Sequence, residues 1–405
     1  MAWFGFAAVI SGFKFPISVR SSMSHSTNIP DCDIFCKVVD NFGDIGVCWR
    51  LARQITLEHG LSVRLWVDNL AAFRNLAPTI DPERPSQQLG KIEVRQWPAT
   101  FPETEPAHLV IQTFACDLPP GYLGAMARQN PPPTWINLEY LSSEDWVEGC
   151  HQLPSPHPQL PLCCRFFFPG FTEQTGGLLR ETGLLDSLRE FRADAEAQSG
   201  FWEMAAGTQP APEALRISLF SYENPALPSL LEAWASGERP VFCAVTEGRS
   251  AAQVRAWAGD TQQRGRLTLA YLPFLPQEDY DRLLTACDLN FVRGEDSFVR
   301  AQWATRPLVW HIYRQAENAH RIKLAAFLAK YLTGLPPETA TALRDFWLVW
   351  DEETGVEAPI ADAWSRLLGH LPALQAHAER WTGVLAQQED LCAKLLICGQ
   401  NLIQS

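Results

Sequence analysis

Two aspartates flank a glycine turn in the segment Asp40-Asn41-Phe42-Gly43-Asp44-Ile45-Gly46. Glycine lets backbone approach a ligand closely, and a helix beginning here would turn unpaired N–H groups toward an anion. The glycine spacing is G-x-x-G, so the dinucleotide fingerprint G-x-G-x-x-G is absent. A helix cap would account for Asp44 alone. Two carboxylates at the end of a strand point to a site.

Arg293-Gly294-Glu295-Asp296-Ser297 stands in the same context further along the chain. Gly294 permits a tight turn, and Ser297 with the first amides of a helix can receive a diphosphate. Arg293 supplies local positive charge, which leaves Glu295 to face sugar hydroxyls. Ser297 as an N-cap, with the acidic pair as favourable dipole charges, is the structural alternative. In Leu272-Pro273-Phe274-Leu275-Pro276-Gln277 the prolines fix the backbone and hold Phe274 and Gln277 at a rim. An aromatic face beside an amide suits a nucleobase, by stacking and by hydrogen bonds to its edge. Phe220 and Tyr222 end another strand-like run and allow either that role or core packing.

These segments need elements to place them. CDIFCKVV (32–39) is an apolar run of strand length, and VCWRLARQITLEHG (47–60) carries a helical stripe of Val47, Trp49, Leu51, Ile55 and Leu57 that stops at Gly60. Further strands are expected at 62–68, 92–97, 108–114 and 134–140, with irregular stretches at 151–165 and 201–214. The rhythm then restarts, with strands at 216–222, 240–246, 266–274, 289–294 and 307–313 and helices at 225–235, 276–287, 297–305 and 316–332. Strands alternating with helices imply an α/β fold of two Rossmann-like domains, whose binding edges face across a cleft. The expected boundaries are 31–205 for the first domain and 206–370 for the second. Helices over 371–405, broken at Pro372, are expected to pack back on the first domain. Residues 1–30 read as an extension, either disordered or the product of a start placed ahead of Met23. They have an apolar run but no basic residue before it and no convincing cleavage site.

Composition narrows the partners. The 405 residues are 46% hydrophobic and 20% charged, which excludes a disordered chain. Net charge is −13, unlike proteins that bind by neutralising many phosphates, so no nucleic-acid partner is expected. No apolar run is long enough to cross a bilayer, and no membrane partner is expected. The 11 cysteines include no CxxC pair, which favours a reducing, cytoplasmic setting and no structural metal.

Taken together, DIFCKVVDNFGDIGVCWRLARQ (33–54), QTFACDLP (112–119), INLEYLS (136–142), FFFPGFTEQTGGLLRE (166–181), LPFLPQEDYDRLL (272–284) and RGEDSFVRAQ (293–302) resemble the protein-arginine rhamnosyltransferase family of translation elongation factor P. The resemblance spans most of the chain from Asp31 onward; residues 1–30 have no counterpart in it, and the linker near 201–214 is not diagnostic of it. It implies an inverting glycosyltransferase of the GT-B architecture that moves L-rhamnose from dTDP-β-L-rhamnose to an arginine of elongation factor P, with no cofactor and no metal. By motif, Asp44 is the implied general base, Asp40 its neighbour in the acceptor pocket, and Glu295 the other catalytic carboxylate. Arg293, Gly294, Asp296 and Ser297 are the implied diphosphate and sugar site. Phe220, Tyr222, Phe274, Pro276 and Gln277 would hold the thymidine, and Asn41, Phe42 and Gly43 would line the donor sugar. Two alternatives stay open: another nucleotide sugar or acceptor on the same architecture, and a non-catalytic two-domain protein closing around an anion.

Overall fold

The computed structural model describes residues 29–39, 42–114, 116–259, 261–351 and 359–404. Asp40, Asn41 and residues 1–28 of the expected extension lie outside these.

The first sheet has eight strands: β1 (Cys32–Cys36), β2 (Val63–Val67), β3 (Ser86–Leu89), β4 (Ile92–Gln96), β5 (Leu109–Thr113), β6 (Thr134–Leu138), β7 (Pro154–Pro156) and β8 (Cys163–Phe167). Their order is β3-β4-β2-β1-β5-β6-β8-β7, with β3 and β7 antiparallel at the edges and the rest parallel. The second sheet has six: β9 (Leu215–Leu219), β10 (Val241–Val245), β11 (Gln263–Arg264), β12 (Leu267–Tyr271), β13 (Leu289–Arg293) and β14 (Leu308–His311). Their order is β11-β12-β10-β9-β13-β14, with only β11 antiparallel.

Helices cover both faces of each sheet, so central strands are apolar throughout rather than alternating. All five residues of β1, CDIFC, are buried. Its one charge, Asp33, is neutralised by Arg64 through two bonds of 2.6 Å and also accepts from the Ala107 N–H at 3.0 Å. A buried carboxylate needs such partners. The strand order reverses between β1 and β5 and again between β9 and β13, and ligands of doubly wound sheets bind outside the carboxyl ends of strands at such points.

Two stretches differ from the reading of the sequence. The proline-rich segment over 151–165 contains β7, whose prolines are tolerated because it is an edge strand. The helices Leu184–Ala193 and Ala195–Ala206 start before residue 205 but contribute Leu188, Phe201 and Trp202 to cores built on the second sheet. The C-terminal helices divide. Leu371–Leu385 adds Leu371, Leu374 and Leu385 to the second core, while Leu391–Gln404 adds Leu391, Cys392, Leu395 and Leu396 to the first. Among the described residues no helix is long and apolar enough to cross a membrane.

Candidate active site

β1 leads into the helix Gly43–His59, which has no side-chain cap. Asp44, in its first turn, is 3% exposed, and its Oδ2 accepts from the Val39 N–H at 2.8 Å. The carboxylate thus ties Val39 to the start of the helix and sits where the helix dipole favours negative charge.

β13 ends in the second domain at Gly294, whose φ of 61° lies in the left-handed region that glycine adopts without strain. The chain reverses there, and Glu295 precedes the helix Asp296–Trp303. Glu295 Oε2 accepts from the Leu141 N–H of the first domain at 3.0 Å. Burial pushes its carboxyl up to about 8, and the charge of Asp44 adds to the rise, partly offset by Leu141 and Lys323. Asp44 and Glu295, one from each domain, line a cavity of about 820 Å³ with Tyr140, Leu141, Trp310, Tyr313 and Lys323.

A second cavity, of about 690 Å³, is lined by Phe42, Gly43, Phe220, Phe274, Gln277, Arg293, Gly294, Asp296 and Ser297. Gly43 and Gly294 border both cavities, so the two spaces meet between the domains. The Arg293 guanidinium lies 4.4 Å from the Phe220 ring centre and 4.7 Å from that of Tyr222, a cation held between aromatic faces. Ser297 caps no helix. Its Oγ accepts from the Arg293 N–H at 3.1 Å and donates to the Arg293 carbonyl, which fixes the turn. The Phe274 ring meets Phe42 of the other domain edge-on, with centres 5.0 Å apart. Gln277 is buried and donates through Nε2 to the Gly46 carbonyl at 3.1 Å; among the described residues its Oε1 has no hydrogen-bond partner.

Three expected donor residues sit otherwise than their motif suggests. Pro276 is exposed ahead of the helix Gln277–Ala286, and Pro273 borders the cavity instead. Tyr222 packs behind Arg293, against His311 and Tyr313. Asp296 borders the cavity, but its Oδ1 accepts from Arg50 Nε at 2.9 Å. Asp40 and Asn41 are not among the described residues.

Thr246, Glu247, Tyr280 and Arg50 also line the second cavity, and sequence reasoning missed all four. Thr246 and Glu247 follow β10, before the helix Arg249–Ala258, with Gly248 at φ 148°. The rule that ligands bind beyond the carboxyl ends of strands could have found them. His311 is buried, and burial with the nearby Arg314 and Arg293 lowers its pKa to about 3, so it is neutral. Among the described residues no group of three or more His, Cys, Asp or Glu could hold a metal ion.

Residues 32–398 match the family described as Elongation-Factor P (EF-P) rhamnosyltransferase EarP. The protein-arginine rhamnosyltransferase of Pseudomonas putida is 50% identical over 371 residues, covering 90% of this chain and 97% of that protein. The protein of the same name from Shewanella oneidensis is 38% identical over 396 residues, covering 92% and 98%. A structure solved for EarP-mediated arginine glycosylation of translation elongation factor EF-P is similar over 91% of this chain and 98% of that one, with a TM-score of 0.64 at 38% identity.

Proposed function

Because the chain belongs to the elongation-factor-P rhamnosyltransferase family, and is therefore a glycosyltransferase acting on arginine, we propose that it transfers L-rhamnose from dTDP-β-L-rhamnose to one arginine of elongation factor P with inversion. The observation that supports this best is the meeting of the two cavities at Gly43 and Gly294, with Asp44 and Glu295 on the side away from Arg293. A donor in the Arg293 cavity would point its anomeric carbon at a guanidinium held by the carboxylates.

The nucleophile poses a difficulty. A guanidinium has a pKa above about 12 and no free lone pair, and an aspartate of pKa near 4 cannot deprotonate it in advance. Asp44, with Asp40 assigned beside it from the sequence, grips the cation and localises its electrons on one nitrogen. That nitrogen attacks the anomeric carbon opposite the departing oxygen. The C–N bond forms, the C–O bond breaks, and the diphosphate leaves with the electron pair. Asp44 takes the proton late, once the new bond has made the nitrogen acidic. Arg293 and the first amides of the helix Asp296–Trp303 carry the leaving charge, so the reaction as proposed calls on no metal or cofactor. Before the acceptor arrives, Glu295, its carboxyl raised by burial to about 8, carries a proton. The arriving cation displaces it, and both carboxylates then face the guanidinium.

Free thiols at all 11 cysteines support a reducing, cytoplasmic setting. The test is to incubate the protein with dTDP-β-L-rhamnose and elongation factor P and weigh the acceptor by intact-mass spectrometry. A gain of one deoxyhexose that maps to an arginine is expected. An unmodified acceptor, with dTDP still bound, would count against the acceptor assignment.

A further inference from the structure

Gly46, Arg50 and Arg53 lie at spacings of four and three residues, on one face of the helix Gly43–His59. All three meet the second domain. The Gly46 carbonyl receives Gln277 Nε2 at 3.1 Å, and Arg53 pairs with Glu278. Arg50 uses every nitrogen it has: Nε donates to Asp296 Oδ1 at 2.9 Å, and Nη1 and Nη2 donate to the two oxygens of Asp281, each at 3.1 Å. Asp281 also accepts from Arg300 at 2.9 and 2.7 Å. Arg300 in turn reaches Glu181 at 2.6 Å, and Arg50 lies 3.5 Å from the same carboxylate. Arg50, Asp281 and Arg300 are all buried.

We propose that Arg50 is a positioning residue, which locks the first helix of one domain onto the helices of the other and so sets Asp44 opposite Glu295 before substrate arrives. The lock takes a short route between them, because Arg50 shares a helix with Asp44 and its partner Asp296 follows Glu295 in the chain. Arg50 borders the donor cavity, but its donors are committed to carboxylates, which leaves the diphosphate to Arg293. A planar fork can satisfy Asp296 and Asp281 together; a lysine, with a point charge, cannot hold the same geometry. Gly46 completes the fit: a Cβ there would stand 3.3 Å from the Asp296 side chain. Such a lock predicts a cleft that is preformed rather than assembled by closure around the nucleotide.

The inference rests on Asp44 and Glu295 being the reacting pair, but its test includes measurements that do not. Small-angle scattering of the wild-type protein with and without dTDP should give the same radius of gyration. Contraction on binding would overturn the lock. Arg50→Lys should lower kcat at saturating donor by about a hundredfold, the cost of roughly an ångström of misplacement, while dTDP affinity changes little. Arg50→Met should lower it further. Buried charge makes these variants prone to unfold, so Gly46→Ala is the companion: alanine favours the helix, yet its methyl must shift Asp296 by a few tenths of an ångström. It should keep or raise the thermal midpoint while kcat falls about tenfold. Full kcat in folded Arg50→Lys and Gly46→Ala would refute the proposal. Normal turnover of Asp44→Asn would instead remove the reacting pair, with scattering and dTDP binding still deciding the lock.

Discussion

Glu295 of the second domain accepts a hydrogen bond from the backbone N–H of Leu141 in the first, at 3.0 Å. The carboxyl is thereby pinned across the cleft, in the cavity that also holds Asp44. Nothing local in the segment Arg293 to Ser297 requires a partner some 150 residues earlier, so the contact belongs to the way the domains meet.

Glu295 gives the protein a pH signature. Its carboxyl is raised from an ordinary 4.5 to about 8, so the folded state binds more protons than the unfolded one between those values. The stability it contributes is complete below about 4.5 and is lost as pH rises through about 8. Thermal midpoints of the ligand-free protein between about pH 5 and pH 8.5 should fall more steeply for wild type than for Glu295→Gln. Glu181 acts in a separate window: burial would raise its pKa, but Arg300 and Arg50 hold it down to about 2, so its contribution is lost only as pH falls below about 4.5. For the same reason acceptor affinity should strengthen as pH approaches about 8 in wild type and not in Glu295→Gln, read by calorimetry with an arginine-bearing acceptor.

Arg293→Lys keeps the charge but loses the flat contact with Phe220 and Tyr222. Loss of a charge-assisted bond to the diphosphate is worth about 1.5–3 kcal/mol, so dTDP affinity should fall roughly ten- to a hundredfold. Calorimetry should find acceptor binding unchanged.

Phe274→Ala removes the ring that meets Phe42 across the nucleotide cavity. Base stacking is worth about 1–3 kcal/mol, so dTDP should bind at least several-fold more weakly. Because Phe274 is only half-buried, the thermal midpoint should move little.

Leu395→Ala tests the return of the last helix to the first domain. Leu395 is fully buried in the core that contains β1 and the helix bearing Asp44. A cavity there should cost about 2–5 kcal/mol, visible as a lower thermal midpoint. An unchanged midpoint would mean that the helix adds no stability to this core.

The sequence revealed most where structure is local. The strand Cys32–Cys36 and the helix after it follow from an apolar run, a glycine turn and a helical stripe within thirty residues, and β13 with its following turn reads the same way. The carboxyl ends of those strands therefore located Asp44, Glu295 and Arg293. What stayed hidden depends on contacts distant in the chain. Tyr140, Trp310 and Lys323 reach the Asp44 cavity from three separate elements, and no spacing links them. Arg50 lies on a helix whose apolar stripe says nothing of a second domain. Ser297 follows a capping pattern but bonds Arg293 instead, because the helix begins at Asp296 and Ser297 lies inside its first turn.

The most direct test of the account is the mass of elongation factor P after incubation with dTDP-β-L-rhamnose and Asp44→Asn protein, beside dTDP affinity measured on the same preparation. Removal of the base should leave the acceptor unmodified while dTDP binds within about threefold of wild type, since Asp44 lies in the carboxylate cavity and not the nucleotide one. Rhamnosylation at the wild-type rate would contradict it and move the proton's destination away from Asp44.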